Sequence, residues 1–472
     1  MAQLLPLQAR QRFPQARRQK RPYIYFYLHG LSLVNPRGSF CFITSNSWLG
    51  VGYGADLQEF LLKHSHVKFI LDNEKKRSFA QADVNTIIAL LAPPDDKHET
   101  GLDKTARFVM FKVPFEDVLD ADTFKTLEAA TERQSADRWR ICVRPQRELL
   151  EEGLVEDEDE SDEAVQKLKT VHVKTARYEA NKWGGKYLRA PEIFFTILEK
   201  GKGKLVRLGD IAEVRFGIKT GANEFFYLDD EKIRQWGIEK EFLKPVIKSP
   251  RECRSIVIRP EDLKYKIFMC LKDKSELRGT NALEYIKWGE SQGFHRRPSC
   301  TGRQRWWDLG QQKSFDFVIL RFRHERSWTP LNNNPNLLAG DIMFVGNWLD
   351  RSIAAINNTI ANTTCFIFIT ELFGRINLGE GLLTTYGPEI TQFLLLHGHV
   401  LTQQQRDKLL QALETLKQRD VLPIFSELHQ PDRRALDDVV FDVLGLTAGE
   451  REAVYEAVVA LVRARLDKAG SV

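Results

Sequence analysis

Residues 40–49, Phe-Cys-Phe-Ile-Thr-Ser-Asn-Ser-Trp-Leu, open on the uncharged run Phe40–Ile43, which has the length and composition of a short buried strand. Upstream, Asn35-Pro36-Arg37-Gly38 reads as a turn. Before that turn, Tyr23, Phe26, Tyr27 and Leu31 recur at helical spacing from a start near Pro22, a good first-turn residue. Downstream, Leu57, Phe60 and Leu61 mark a helix, Val67–Leu71 a strand, and Thr86–Leu91 a further near-continuous apolar strand ending before Pro93-Pro94. This alternation predicts an α/β domain with a largely parallel sheet. It accounts for only about three strands, where a sheet covered by helices usually has five or more. The chain is therefore expected to begin in mid-domain.

A length of 472 residues allows two to four domains, and 43% hydrophobic with 28% charged residues excludes a disordered or fibrous chain. The net charge of +5 decides little, because what matters is where the charge sits. Six widely spaced cysteines offer neither a metal knuckle nor a disulfide framework, so a reducing cytosol is expected. No apolar run reaches the roughly 18–20 residues of a membrane span, and no secretory signal opens the chain; no membrane role is expected.

Beyond residue 95 the pattern weakens. Strands are expected near 106–113 and 138–144, a helix near 145–152, and a solvated acidic linker from Glu156 through Glu163. From Leu205 to about residue 400, short apolar runs alternate with turns, which predicts a mixed, strand-rich domain. The tail is helical, and Thr447 with Glu450 forms a capping box ahead of Val454, Ala457, Val458 and Leu461.

Several constellations invite a chemical reading. Gly50-x-Gly52-x-Gly54-Ala55, with Asp72 closing the next strand, fits a dinucleotide fingerprint, but Ser45–Leu49 intervene between strand and first glycine, which favours a plain loop. His64-x-His66 and His397-x-His399 lack further ligands at usable spacing, and no metal is expected. The segment Phe294–Trp328 interleaves Arg303, Arg305, Arg321 and Arg323 with Trp306, Trp307, Phe322 and Trp328. Guanidinium forks suit phosphates and guanine edges, and indoles stack on bases; this favours a duplex-DNA surface over a strand core of Phe315, Phe317 and Ile319 with solvated arginines.

Taken in order, Tyr25-Phe26-Tyr27-Leu28, then Phe42–Leu49, then Phe79-Ala-Gln-Ala-Asp-Val84-Asn85-Thr86 resemble the later motifs of adenine-specific N6 DNA methyltransferases of the Eco57I and TaqI-like type. Gly217–Phe226, Arg305-Trp306-Trp307 and Phe373–Gly381 are similar to parts of the TaqI-like C-terminal target-recognition domain. The resemblance implies the C-terminal part of a Rossmann-like methyltransferase sheet over residues 1–100, and a connecting region with the acidic linker over 101–204. It further implies a mixed α+β target-recognition domain over 205–400 and a helical region over 401–472. The family's S-adenosyl-L-methionine motif and its catalytic Asn-Pro-Pro-Tyr both precede the matched region, and this sequence contains no Asn-Pro-Pro-Tyr.

What the resemblance implies is base flipping, with S-adenosyl-L-methionine held by a missing N-terminal half, either separately encoded or lost, and this chain inactive alone. Phe79 takes the position of the family's second aromatic face for the extruded adenine; its other reading is a core side chain packed on Val84 and Ile87. Lys219, Thr220 and Asn223 join Arg303, Arg305, Trp306, Trp307, Arg321 and Arg323 as expected DNA contacts. A non-enzymatic DNA-specificity subunit, or a truncated remnant, is the alternative.

Overall fold

The computed structural model describes residues 22–471, apart from 51, 53, 80, 83, 95–99, 157–175, 180, 181, 377 and 379. The basic N-terminal stretch and the body of the acidic linker lie outside the described residues. The chain divides into two compact units: unit 1 comprises Met1–Pro191, Leu372–Leu382 and Leu461–Val472, and unit 2 comprises Glu192–Glu371 and Leu383–Ala460.

Unit 1 is built on a six-stranded sheet. Helix α1 (Pro22–Leu33) leads to β1 (Phe40–Ser45), α2 (Gly54–His64), β2 (His66–Asn73) and β3 (Thr86–Ala92). Strands β4 (Thr105–Phe111), β5 (Gln134–Ser135) and β6 (Trp139–Pro145) complete the order β1-β3-β2-β4-β6-β5. The expected strands and the first helices are thus present, but the sheet is not largely parallel. Only β2 and β4 run parallel; β3 lies antiparallel between β1 and β2, and β6 is antiparallel to both β4 and β5. A strand buried on both faces reads as a continuous apolar run whatever its direction, so Thr86–Leu91 carried no sign of its reversal.

Residues 101–191 are also not a separate connecting region, because β4 and β6 extend the same sheet. On one face Phe69, Leu71, Val109, Phe111, Leu127 and Ile141 form a core. On the other, Trp183 packs edge-on against both Trp48 (5.8 Å) and Phe108 (5.3 Å). Burying aromatic groups of this size supplies about 1.5–3 kcal/mol each. The Phe373–Gly381 stretch, expected within the recognition domain, belongs to unit 1, as does the last part of the C-terminal helix.

Among the described residues, β1 has β3 as its only strand neighbour. Tyr27 is fully buried against it, its hydroxyl 3.0 Å from Thr44 Oγ1. Beside that anchor the surface stays apolar and open: Phe26 is 61% exposed, and Tyr25, Leu33 and Ile43 are also exposed.

In unit 2, strands Ala212–Phe216, Met343–Trp348 and Phe317–Leu320 form one sheet, and Tyr227–Leu228, Tyr265–Phe268, Leu243–Ile247 and Leu338–Ala339 another. A helical section follows, with the Thr447–Glu450 capping box in place. Its centre holds charge. Arg433 and Glu427, both fully buried, pair at 2.9 Å, and Arg419 clasps Glu427 and Asp432. Asp437 accepts hydrogen bonds from the Thr364 amide (2.6 Å) and the Tyr455 hydroxyl (3.2 Å).

Burial pushes the Asp437 carboxyl up to about 6, although Arg433 and its hydrogen bonds favour the charged form. A folded-state value above the unfolded one, about 3.9, means that ionised Asp437 opposes folding with its full cost above pH 6, and that this cost shrinks as pH falls below 6 and is gone below about 3.9. Asp437→Asn, which imitates the protonated acid, should therefore gain stability relative to the unmutated chain as pH rises from 5 to 7.5. Paired urea melts at the two pH values check this.

Candidate functional site

Three chain segments of unit 1 end or begin at the same end of the sheet: β1 at Ser45, β2 at Asn73 and β3 at Thr86, because β1 and β2 both run opposite to β3. Phe79 lies in the loop between β2 and β3 and is 47% exposed. Its ring is not enclosed, which disfavours the alternative reading of a core side chain packed on Val84 and Ile87. Ser78, next to it, accepts a hydrogen bond from Thr86 Oγ1 at 2.8 Å. At the same sheet end a small cleft of about 40 Å³ is lined by Asn46, Ser47, Asp72, Lys182, Arg189 and Ile376, among others. Lys182 Nζ donates to the Gly50 carbonyl at 2.9 Å, and Arg189 donates to the carbonyls of Leu372 (2.6 Å) and Gly374 (2.8 Å).

The glycine loop has a packing explanation. A 3-10 turn, Asn46–Leu49, stands between β1 and Gly50, and Gly50 caps it by donating to Ser47 O. A Cβ on Gly54 would lie 2.0 Å from the Trp48 carbonyl, so glycine is required there for helix α2 to approach. Asp72, which stood as the acid of a nucleotide fingerprint, is instead buried and paired with Lys468 Nζ at 2.8 Å. Among the described residues no group of three or more His, Cys, Asp or Glu is placed to hold a metal. His66 contacts the Thr105 carbonyl, and His399 pairs with Asp350 at 2.8 Å.

The other expected contact residues all lie in unit 2, and they fall into three groups. Lys219, Thr220, Asn223 and Arg303 come together. Gly217 starts this loop because a Cβ there would meet the Gly340 carbonyl at 2.1 Å, and Gly221 turns it at φ +77°. Lys219 and Asn223 are exposed, whereas Thr220 is buried and hydrogen-bonded to Asn223 Oδ1. Arg303 reaches back and donates to the Lys219 carbonyl at 2.9 Å and the Trp306 carbonyl at 3.2 Å. Its guanidinium therefore braces the loop that presents Lys219.

Arg305, Trp306 and Trp307 form the second group, and here the expectation of base stacking is corrected. Both indoles are buried in the core around Phe225, Phe226, Phe268 and Tyr285. The Trp306 ring centroid lies 4.6 Å from that of Phe225, and its indole N–H donates to Glu290 at 3.1 Å. Arg305 forks onto Asp308 (2.6 Å) and also meets Asp273 (3.0 Å), so its charge is matched within the fold. Arg321 and Arg323 make the third group: Arg323 is buried, and Arg321 lies over the Tyr386 ring at 4.7 Å. Arginine density in the sequence thus measured internal bracing as much as an outward charge.

Reading the sequence missed Phe216, which is exposed on its strand beside Lys219 and packs on Phe344 at 4.2 Å. It also missed the roles of Asn85 and Lys468 around the Phe79 loop. A lone exposed phenylalanine in a strand pattern carries no distinguishing signal, and a partner almost 400 positions away carries none either.

Comparison with known proteins bears on these sites. Residues 180–428 match the family model "Type II methyltransferase M.Eco57I, C-terminal domain", and residues 6–79 match "Eco57I restriction-modification methylase". The type II methyltransferase M.AccI of Acinetobacter calcoaceticus is 26% identical over 136 residues, 28% of this chain and 24% of that protein. The type IIL restriction-modification enzyme MmeI, solved in complex with DNA, is similar over 93% of this chain and 52% of its own, at 12% identity and a TM-score of 0.52. The type IIG restriction endonuclease BpuSI aligns over 94% of this chain and 49% of its own, at 11% identity and a TM-score of 0.45. The chain spans about half the length of these solved relatives.

If Trp306 is core, Trp306→Ala should lower the unfolding free energy by about 3–5 kcal/mol, while Lys219→Ala should change it by less than about 0.5 kcal/mol. Chemical denaturation of the two variants distinguishes a packing residue from a presented one.

Proposed function

The chain belongs to the restriction-modification methyltransferases of the Eco57I type, and on that premise we propose that it is the DNA-recognising half of an adenine-specific N6 methyltransferase. The observation that carries this reading is Phe79, half exposed on a loop at the sheet end where α/β proteins hold their ligands, within a stretch similar to the family's motif. An adenine amine is buried in a stacked duplex, so methylation at N6 needs the base extruded and gripped. Phe79 would cover one face of the extruded ring, a contact that contributes on the order of 1–3 kcal/mol.

The chain's own glycine loop does not fit the S-adenosyl-L-methionine that the family uses. The turn Asn46–Leu49 separates that loop from its strand, and Gly54 is engaged with the Trp48 carbonyl. The methyl donor and the Asn-Pro-Pro-Tyr acceptors would come from an N-terminal half docked on unit 1. The edge of β1, unpaired among the described residues, and the uncharged surface of Tyr25, Phe26, Leu33 and Ile43 support such a partner, since a strand edge and an apolar patch together invite pairing. Duplex DNA would be met by Lys219 and Asn223, with Arg303 holding their loop in place.

Two outcomes are expected. In the enzyme completed by an N-terminal half carrying Asn-Pro-Pro-Tyr, Phe79→Ala should slow methyl transfer roughly tenfold or more at unchanged thermal stability, and Phe79→Trp should retain much of the activity. Turnover, melting temperature and 2-aminopurine fluorescence at the target adenine read this out; a normal rate with Phe79→Ala removes the residue from the mechanism. Lys219→Ala should weaken duplex binding and lower the salt slope by about one unit, as a lost phosphate contact does. Binding titrations at several salt concentrations decide it.

A further inference from the structure

An exposed aromatic ring is useful as a stacking platform only if its backbone is held, because catalytic geometry tolerates errors of only about 0.5 Å. The loop carrying Phe79 has no secondary structure of its own, yet both of its roots are fastened by segments distant in sequence. At the entry, Lys468 Nζ lies 2.8 Å from Asp72 Oδ1 and also donates to the Asn73 carbonyl; Lys468, Asp72 and Asn73 are each at most 5% exposed. The Asn73 side chain then accepts from the amides of Lys75 (3.1 Å) and Lys76 (2.7 Å), which sets the first turn. Two residues before Phe79, the Arg77 amide donates to Ser471 Oγ at 3.2 Å, and its guanidinium to the Ala469 carbonyl at 3.2 Å. At the exit, Val84 bridges to Leu378 and the Asn85 side chain donates to the Ile376 carbonyl.

We propose that Lys468, in the last turn of helix Ala448–Ala469, is a positioning residue for Phe79: its buried pair with Asp72 and its bond to Asn73 fix the root from which the loop springs. A surface cation at a helix end would stabilise that helix only weakly. Lys468 is instead withdrawn from solvent and shared between a carboxylate and a strand-end carbonyl, which orients two neighbouring residues at once. The inference rests on the reading of Phe79 as the adenine platform.

Amide hydrogen exchange of residues 74–86, measured on the full chain, tests the clamp without any catalysis. Lys468→Met should speed exchange there at least tenfold while strands β4 and β6 keep their protection. Arg77→Met, which leaves the Lys468–Asp72 pair in place, should do the same to a smaller extent and guards against a merely unfolded Lys468 variant. In the completed enzyme, Lys468→Met should lower kcat at least fivefold with the KM for DNA unchanged, and Lys468→Arg should recover part of the loss. Unchanged exchange in both variants overturns the clamp. Faster exchange with an unaltered kcat, in an enzyme that Phe79→Ala does slow, overturns the positioning role. If Phe79→Ala itself leaves methyl transfer intact, it is the reading of Phe79 that fails, and the exchange data still report on the clamp.

Discussion

The reversal of β3 between β1 and β2 is the constraint from which the rest of unit 1 follows. A strand inserted antiparallel between two strands of common direction must begin where both of them end, so the link from β2 turns back at the sheet end beside Ser45. That single topological fact brings Asn46, which helix α2 and strand β2 separate from the rest in sequence, into one neighbourhood with Asp72, Asn73, Phe79 and Asn85. Hydrogen bonding enforces it continuously: β3 pairs with β1 from Phe40–Leu91 to Ser45–Thr86, and Asn46 N then donates to Asn85 O at 2.9 Å beyond the last strand pair.

How much of this was legible depended on whether the controlling forces were local. Apolar runs and turn residues located β1, β2 and β3, the helix from Pro22, and the capping box of Thr447 and Glu450, because burial and capping act within a few residues. Strand direction was not legible, since an antiparallel strand covered on both faces has the same composition as a parallel one. Nor was the assignment of Phe373–Gly381 to unit 1, which depends on Arg189 and Asn85 reaching its carbonyls from distant parts of the chain. Asp72 was noticed for the wrong reason: an acid at a strand end looks the same whether it awaits a ribose or a lysine.

Unit 2 teaches a related point about charge. Arg303, Arg305 and Arg433 each spend their donors on carbonyls or carboxylates of the fold, the last of them without any exposure. A planar five-donor group satisfies several acceptors at once, which makes it as useful for fastening loops as for meeting phosphates. Breaking a buried pair such as Arg433–Glu427 by removing one member typically costs about 3–5 kcal/mol, so substitution of Arg433 acts first on folding.

The bare edge of β1 has a consequence for how the protein must be made. Among the described residues no strand pairs with its outer edge, which lies beside Phe26 and Ile43 and has no lysine, proline or bulge within Phe40–Ser45 to discourage a stray strand. Natural sheets guard their free edges with such devices because an unguarded edge templates aggregation. An isolated chain with that edge free would be prone to pair edge to edge with its own copies.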